Sequence, residues 1–373
     1  MKKKLLALGM SLMLAMASLC GCSTGETAAE GESAEAPAES VEASAEDLSD
    51  TDKELNIYIW TEYITDEAIE GFEEEYGVKV NVSYFTSAEE MLSKLVASAE
   101  GTFDIIQPTD DQVPAMIEEG LIEKIDYSNI PNMSQIDETF LHCSFDPNQE
   151  YTVPYMSGYQ LIGYNKETCP IEIDSLDDLA DTALKDQLVF ITSERHVMGT
   201  ALASLGYDPN TTDENEIKEA AELLMKIKDN IKVFDGDSPR KELLNGECSA
   251  GFLYGGDLTI AMMQEPDKFG VAQIDTGYNV GTQQFCIPTG SPHKKLAEQF
   301  INYIHEPKVM AQITEVYPYV CVNKGAMEFV TEEYKNCTSL NLDESLKKNL
   351  WELKDVGDAI TIYDQYWSEF MAE

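Results

Sequence analysis

The sequence has few positive charges for its length. Its 373 residues include 69 Asp and Glu but only 25 Lys and Arg, which gives a formal net charge of −44. Such a charge argues against nucleic acid or an anionic membrane surface as a partner, and it favours solubility and the attraction of cations. The negative field is diffuse, so it does not by itself identify a ligand.

Catalytic motifs are missing as well. The chain contains no G-x-S-x-G, G-x-G-x-x-G, Walker or H-E-x-x-H sequence, and its four histidines are scattered. His142, His293 and His305 are predicted to be ordinary surface or hydrogen-bonded residues. Acid–base chemistry by a carboxylate pair such as Asp110/Asp111 is the rival interpretation, but adjacent acids are expected in so acidic a chain. We therefore predict that the protein is not an enzyme and that it holds neither a metal nor a cofactor.

Cysteines with metal or redox spacing are also absent. No C-x-x-C or Cys/His pattern occurs, and the cysteines beyond residue 22 are widely spaced. Scattered buried thiols are the preferred interpretation, and a Cys286–Cys321 disulfide is the alternative.

Long apolar runs are confined to the N-terminus. Residues 2–4 are lysines and residues 5–19 are apolar, a run too short for a confident membrane span and typical of a signal peptide. The following LCGC sequence resembles a bacterial lipoprotein signal, which implies a signal peptide at residues 1–21 and a lipid on Cys22. The alternatives are an ordinary secretory signal and a retained anchor. Residues 22–53, acidic and without aromatics, are predicted to form a disordered tether.

The remaining chain has the composition and patterning of an α/β protein. Its length favours two domains, and a 43% hydrophobic content provides for their cores. Residues 55–59 read as a buried strand, residues 64–76 repeat apolar side chains at helical spacing until Gly77, and residues 78–82 read as a second strand. This is a β-loop-α-β unit, and in such units ligands collect beyond the carboxyl ends of the strands.

The most informative residues follow the first strand. Trp60, Thr61, Glu62 and Tyr63 bring two rings, a hydroxyl and a carboxylate together, which suits an organic cation held by charge and cation–π contact. The alternative is that both rings only fill the core while Glu62 is a solvated turn residue.

Two further strand ends carry similar side chains. Thr109 and Asp111 follow a predicted strand at residues 103–107, where they either face a cleft or cap the next helix. Tyr254 leaves the predicted strand at residues 250–254, and Asp257 follows at a turn that Gly255 and Gly256 permit. Asp257 is predicted to contact the ligand, with a helix N-cap as the alternative.

Several motifs resemble the spermidine/putrescine-binding proteins of bacterial ABC importers. They are IYIWTEY at 57–63, FDII at 103–106, EGLIEKID at 119–126, FDP at 145–147, YTVPY at 151–155 and DVG at 355–357. The resemblance implies the two-lobe periplasmic-binding-protein fold (type II), with a ligand cleft between lobe 1 (residues 54–157 plus 286–373) and lobe 2 (residues 158–285). It also implies a monomeric receptor that binds a polyamine and delivers it to an ABC permease and ATPase. Such a receptor would be exported, in the periplasm or lipid-anchored on the outer face of the cytoplasmic membrane.

The resemblance adds four residues to the predicted site. Ser193 and His196 match positions at which polyamine binders supply carboxylates, and Gln283 matches a position that often holds an aspartate. Tyr319 matches a tyrosine of the site, whereas Asp111 stands where spermidine binders tend to carry a tyrosine. The missing acids leave open a zwitterion or a short amine as the ligand. A signalling or adhesion lipoprotein on the same fold is the third possibility. The aromatic stripe of the last predicted helix, residues 360–371, is expected to pack onto lobe 1.

Overall fold

The computed structural model describes residues 53–372, and they form an α/β protein. The strands are β1 Glu54–Trp60, β2 Lys79–Phe85, β3 Ile105–Ile106, β4 Ile122–Glu123, β5 Val153–Asn165, β6 Leu188–Phe190, β7 Ile231–Phe234, β8 Ala250–Tyr254, β9 Phe269–Val271, β10 Asn279–Phe285, β11 Ile287–Pro288 and β12 Val320–Cys321. The helices are α1 Asp66–Tyr76, α2 Ala88–Ala97, α3 Val113–Glu118, α4 Glu194–Ser204, α5 Glu214–Lys228, α6 Arg240–Leu244, α7 Gly255–Gln264, α8 Lys294–Ile304, α9 Pro307–Val316, α10 Glu332–Asn336, α11 Glu344–Lys347 and α12 Ile360–Met371.

The first sheet contains the predicted β-loop-α-β unit. Its order is β2-β1-β3, and β1 pairs in parallel with both neighbours. Helix α1 begins where the Thr65 side chain accepts a hydrogen bond from the Ala68 N–H, and it ends at Gly77, whose φ of 67° is the left-handed conformation that glycine tolerates. The strands therefore end on one edge of the sheet, where the loops after β1 and β3 lie side by side.

The second sheet is mixed and is organised by the long strand β5. Its order is β10-β5-β8-β6-β7, and β9 and β12 pair with β5 outside this path. The first half of β5 pairs with β10 and its second half pairs with β8, both antiparallel. Strand β5 is continuous over 13 residues. Strand β10 carries Gln283, which lies opposite Met156 of β5 in this sheet.

The last helix corrects one expectation. We expected the aromatic face of α12 to pack onto lobe 1, but α12 packs against α4 and α5. The Tyr363 hydroxyl donates to the carbonyl of Thr211, and the Phe370 ring meets Phe234 edge-on at 5.4 Å between centroids. The aromatic spacing identified a buried helix face, but a face of this kind does not specify which neighbour covers it. The predicted lobe boundaries stay a prediction.

The six cysteines within the described range are all free thiols, so the alternative Cys286–Cys321 disulfide is wrong. In residues 53–372 no helix is long and apolar enough to cross a membrane. The predicted signal peptide, the lipid acceptor Cys22 and all of the tether except its last residue lie outside that range.

Candidate functional site

The strand ends of both sheets meet at one cavity with a volume of about 90 Å³. All twelve residues of the predicted site line it: Trp60, Thr61, Glu62, Tyr63, Thr109, Asp111, Ser193, His196, Tyr254, Asp257, Gln283 and Tyr319. The cavity volume corresponds to roughly six to nine water molecules, when a water needs about 10–15 Å³. That these residues bind a ligand remains a prediction.

Aromatic side chains form one side of the cavity. The Trp60 indole donates from Nε1 to Oε1 of Gln283 at 3.0 Å, which joins the β1 loop to β10. The Tyr63 and Tyr319 rings lie 4.7 Å apart between centroids, and Tyr319 packs so closely on Gly256 that a Cβ there would lie 2.5 Å from its ring. Trp60 and Tyr63 therefore both pack against the core and face the cavity, so the two interpretations from the sequence are not exclusive.

Glu62 takes part in an ion-pair cluster that the sequence did not predict. Its φ of 57° is left-handed, which is uncommon for a residue with a side chain and marks a sharp turn after β1. Arg240 donates from Nη1 to Glu62 Oε2 at 2.7 Å and from Nη2 to Glu62 Oε1 at 3.0 Å. Nη1 of the same guanidinium also donates to Oδ1 of Asp257. Glu62 is thus a turn residue that forms an ion pair while its side chain stays 36% exposed.

Asp257 lies in the first turn of α7, where a loop turn had been expected. The N-cap residue of α7 is Tyr254, so the helix N-cap alternative for Asp257 is wrong. The Asp257 side chain is 5% exposed, and burial raises its pKa to about 7 although Arg240 opposes the shift. Burial favours the neutral acid, and the adjacent guanidinium favours the carboxylate.

A second group of acids, here called the acid wall, consists of Glu89, Asp110 and Asp111. Asp110 accepts a hydrogen bond at Oδ2 from the Thr282 N–H at 3.0 Å, while Oδ1 of Asp110 and Oδ1 of Asp111 are shielded and have no hydrogen-bond partner among residues 53–372. Burial raises the pKa of both aspartates. A nearby cation would supply the missing stabilisation.

The residues that follow β3 do not cap the next helix through their side chains. Helix α3 has Gln112 at its N-cap position, and no side-chain cap bond is formed. Thr109 is 8% exposed and Asp111 is partly exposed, and both line the cavity. Of the two alternatives for these residues, the position at the cleft is the one that the structure supports.

The wall at the start of α4 contains a serine, an uncharged histidine and an arginine. Ser193 Oγ lies 2.6 Å from Nδ1 of His196, and burial lowers the pKa of His196 to about 3, so its imidazole is uncharged at neutral pH. Arg195 also lines the cavity, but its guanidinium is bonded to the Lys354 carbonyl and to Asn210. This wall offers hydrogen-bonding groups and one arginine, whose Nη atoms are bonded to uncharged groups and whose buried Nε has no hydrogen-bond partner among the described residues.

Sequence reasoning missed Arg240 and Glu89. Arg240 follows β7 through the segment Asp235-Gly236-Asp237-Ser238-Pro239, which is another strand end with a glycine turn. Asp237 of this segment accepts a hydrogen bond from the Thr61 hydroxyl at 3.1 Å. The same strand-end rule that identified Trp60 and Thr109 could therefore have directed attention to residues 235–240. Glu89 carries no such signal, because it lies on the exposed first turn of α2.

The arrangement suits a small organic cation. Rings provide an apolar and cation-attracting surface, and the acid wall provides carboxylates that form no direct ion pair among the described residues, although Arg195 lies near enough to lower the pKa of Asp111. No group of three or more His, Cys, Asp or Glu residues between positions 53 and 372 has the arrangement of a metal site.

Comparison with known proteins agrees with this fold. Residues 67–340 match the model of the bacterial extracellular solute-binding proteins. The spermidine/putrescine-binding periplasmic protein of Salmonella typhimurium is 34% identical over 331 residues, which cover 88% of this chain and 94% of that protein. The putrescine-binding periplasmic protein PotF of Escherichia coli is 27% identical over 326 residues, which cover 82% of this chain and 88% of that protein.

Solved structures of similar proteins have the same fold. A protein of Listeria monocytogenes superposes with a TM-score of 0.82 at 30% identity, covering 86% of this chain and 100% of that chain. The TpPotD lipoprotein of Treponema pallidum superposes with a TM-score of 0.77 at 30% identity and the same coverage. These similarities confirm the predicted periplasmic-binding-protein fold and the resemblance from which it was inferred. The chain belongs to the bacterial extracellular solute-binding proteins.

Proposed function

We propose that the protein is the extracellular receptor of an ABC importer and that it binds a polyamine in the cavity between its two sheets. The observation that carries the proposal is the acid wall beside the rings of Trp60 and Tyr254 in one cavity. A polyamine offers methylene groups to rings and ammonium groups to carboxylates, so both kinds of wall have a matching part of the ligand. Relatives named as binding spermidine and putrescine support this class of ligand.

Each side chain has a defined part in this proposal. Trp60, Tyr63, Tyr254 and Tyr319 would contact the methylene chain, and Asp111 would pair with an ammonium group. Thr61, Thr109 and Gln283 would orient the ligand through hydrogen bonds. Glu89 would add negative charge beside Asp111, and Asp110 would do so only when the ligand's ammonium favours its ionised form, because burial raises the Asp110 pKa. No bond is made or broken in this function, which is why we propose a binding protein without catalytic activity.

A zwitterionic ligand is the second candidate, because Arg195 lines the cavity beside Ser193 and His196. A carboxylate would have to be attracted by this wall. Its histidine is neutral, since burial lowers the His196 pKa to about 3, and the Arg195 guanidinium is held by Lys354 and Asn210 and stacks on Tyr363 at 4.8 Å. The neutral histidine favours the amine, whereas the Arg195 Nε, buried and without a hydrogen-bond partner among the described residues, is the donor that a carboxylate would use.

The proposed partners follow from the family. An extracellular receptor of this type closes around its ligand by a hinge motion and then docks on a permease that an ATPase drives. We propose that the chain acts as a monomer outside the cytoplasmic membrane and is tethered there by a lipid on Cys22. Failure of a Cys22→Ser protein to leave the membrane fraction would contradict the lipid anchor.

Isothermal titration tests the ligand class. The soluble protein, residues 22–373 with Cys22→Ser, would be titrated with putrescine, cadaverine and spermidine and then with amino acids. Saturable binding of an amine is the expected result. Binding of an amino acid alone would move the ligand class to the zwitterions, and silence with every solute would favour a signalling or adhesion lipoprotein.

A further inference from the structure

A second groove, here called the side groove, adjoins the cavity. It has a volume of about 420 Å³ and lies among the loop after β1, the first turn of α1, the end of β2 and the end of α9. Thr61 and Glu62 line both the cavity and the side groove. The other residues of the side groove, among them Tyr84, Val316 and Tyr317, do not line the cavity.

The side groove exposes apolar side chains. Tyr84 at the end of β2 is 43% exposed, and Val316 at the end of α9 is 48% exposed. Tyr317 adds a third, partly exposed side chain. Exposed apolar groups that lie together and are rimmed by polar residues mark surfaces for other proteins, and tyrosine is enriched in such interfaces.

The rim of the side groove is acidic. Asp66 and Glu67 line it from the first turn of α1, and neither forms an ion pair among residues 53–372. Burial and the nearby charges of Glu62 and Asp66 raise the pKa of Tyr317, so these acids lie close to its ring. A helix N-terminus suits acids, which accounts for their place in α1 but not for the exposed Tyr84 and Val316 beside them. A complementary partner therefore brings both a cation and an apolar group.

The edge of the side groove nearest the cavity is held by the second sheet. The Thr61 hydroxyl donates to Oδ1 of Asp237 at 3.1 Å, and Arg240 donates to both carboxylate oxygens of Glu62 at 2.7 and 3.0 Å. Asp237 and Arg240 follow β7, whereas Thr61 and Glu62 follow β1. A hinge motion that separates the two sheets would break these contacts, so a partner on this edge would meet a different surface in the open form.

The side groove suits a protein better than a free amine. Small-molecule sites bury most of the surface of their ligand, and they do so in enclosed cavities. Tyr84 and Val316 remain about half exposed, so an amine lying on them would stay largely in water. Side chains presented by a protein do not need such enclosure, because the protein around them excludes the water.

We infer that the side groove is a docking surface for the permease of the importer, and that it receives a permease segment carrying a Lys or Arg beside an apolar side chain. This inference rests on the proposed function, because it names the surface by which the same receptor meets its transporter. A permease that contacts Thr61 and Glu62 lies next to the cavity from which the amine has to leave.

The test is uptake of putrescine by cells whose only copy of the receptor is the wild type or a variant. Tyr84→Ala/Val316→Ala removes two exposed side chains from the side groove. The matched control, Leu205→Ala/Met225→Ala, removes two that are 37% and 42% exposed and line neither the cavity nor the side groove. The first variant should lower uptake at saturating putrescine at least about fivefold, and the control should stay within about twofold of the wild type. Isothermal titration of the purified proteins should give both variants the wild-type Kd for putrescine.

A second variant tests the charge of the rim. Asp66→Asn/Glu67→Gln removes two carboxylates with little change in shape, and uptake should fall at least about threefold because the permease cation loses its partners. The Kd for putrescine should stay within about threefold of the wild-type value, since neither acid lines the cavity and solvent screens exposed charges.

Several results would overturn the inference. Wild-type uptake by Tyr84→Ala/Val316→Ala, at an equal amount of receptor in the membrane fraction, would show that the permease does not use the side groove. A parallel loss of amine affinity would assign the side groove to the ligand, and an equal loss of uptake in the control would show that the effect is not specific to it. Dimerisation of the wild type that the same substitutions abolish would assign it to a second copy of the chain.

Two further outcomes are distinguished by their controls. If Tyr84→Ala/Val316→Ala does not fold, Asp66→Asn/Glu67→Gln decides the question, and unchanged uptake by that variant refutes the inference. Absence of both amine binding and uptake in the wild type would refute the proposed function itself. A defect confined to the side-groove variants cannot be confused with that result.

Discussion

Asp111→Asn is the substitution that should affect amine binding most. Asp111 lines the cavity, and one of its carboxylate oxygens is shielded without a hydrogen-bond partner among residues 53–372. A carboxylate and an ammonium 4 Å apart attract each other by about 4 kcal/mol at an effective dielectric constant near 20. Burial raises the pKa of Asp111 and so disfavours its charged form. The free energy needed to keep the carboxylate ionised therefore offsets part of this attraction. We therefore expect a net loss of about 2–3 kcal/mol, which is roughly a 30- to 150-fold weaker Kd.

The assay is isothermal titration with putrescine, and the matched control is Glu118→Gln. Glu118 ends α3, the helix that follows Asp111, and it is exposed and does not line the cavity. Both substitutions remove one negative charge from a chain that carries a net charge of −44, so the control measures the contribution of the general field. A change of less than threefold in Asp111→Asn, or an equal change in both proteins, would refute the assignment of Asp111 as the charge partner.

Four other measurements address separate parts of the account. Amine binding should release protons and weaken as the pH falls toward the raised pKa of Asp111, because an ammonium lowers the pKa of the carboxyl that it meets; identical titration heats in buffers of different ionisation enthalpy would contradict this. Trp60→Phe should remove most of the ligand-induced change in tryptophan fluorescence, and a full change arising from Trp351 or Trp367 would place the ligand elsewhere. Gly256→Ala should weaken the ligand at least severalfold, because the new Cβ would lie 2.5 Å from the Tyr319 ring; unchanged affinity would show that the ring position is unimportant. A reducing agent should leave the melting temperature unchanged, since the six described cysteines are thiols, and a lower melting temperature would indicate a disulfide.

The sequence predicted which residues follow the parallel strands and therefore lie together at the cavity. Parallel strands deliver the residues after them to one edge of a sheet, so Trp60 and Thr109 could be placed near each other from strand patterns alone. Helices with a regular apolar repeat could be predicted equally well: α12 has the expected bounds, and α1 ends at Gly77 as predicted. Local patterns of this kind depend only on neighbouring residues.

Contacts between distant residues could not be predicted in the same way. The ion pairs of Arg240 join Glu62, which is 178 residues earlier in the chain, and no local pattern encodes that separation. The helix α12 shows the same limit, because its aromatic stripe indicates burial without naming α4 and α5 as the covering surface. Asp257 was expected in a turn because of Gly255 and Gly256, yet both glycines belong to α7, where Gly255 packs on the Tyr159 backbone and Gly256 on the Tyr319 ring.

The most direct test of the account compares putrescine with 4-aminobutyrate by isothermal titration of the wild-type soluble protein. The two ligands have the same four-carbon chain and differ in that a carboxylate replaces one ammonium. An acid wall that holds a cation, beside an Arg195 whose Nη atoms are bonded to the Lys354 carbonyl and the Asn210 amide, predicts saturable binding of putrescine and binding of 4-aminobutyrate at least about tenfold weaker. Tighter binding of 4-aminobutyrate than of putrescine would contradict the account, because it would show that the cavity selects a zwitterion.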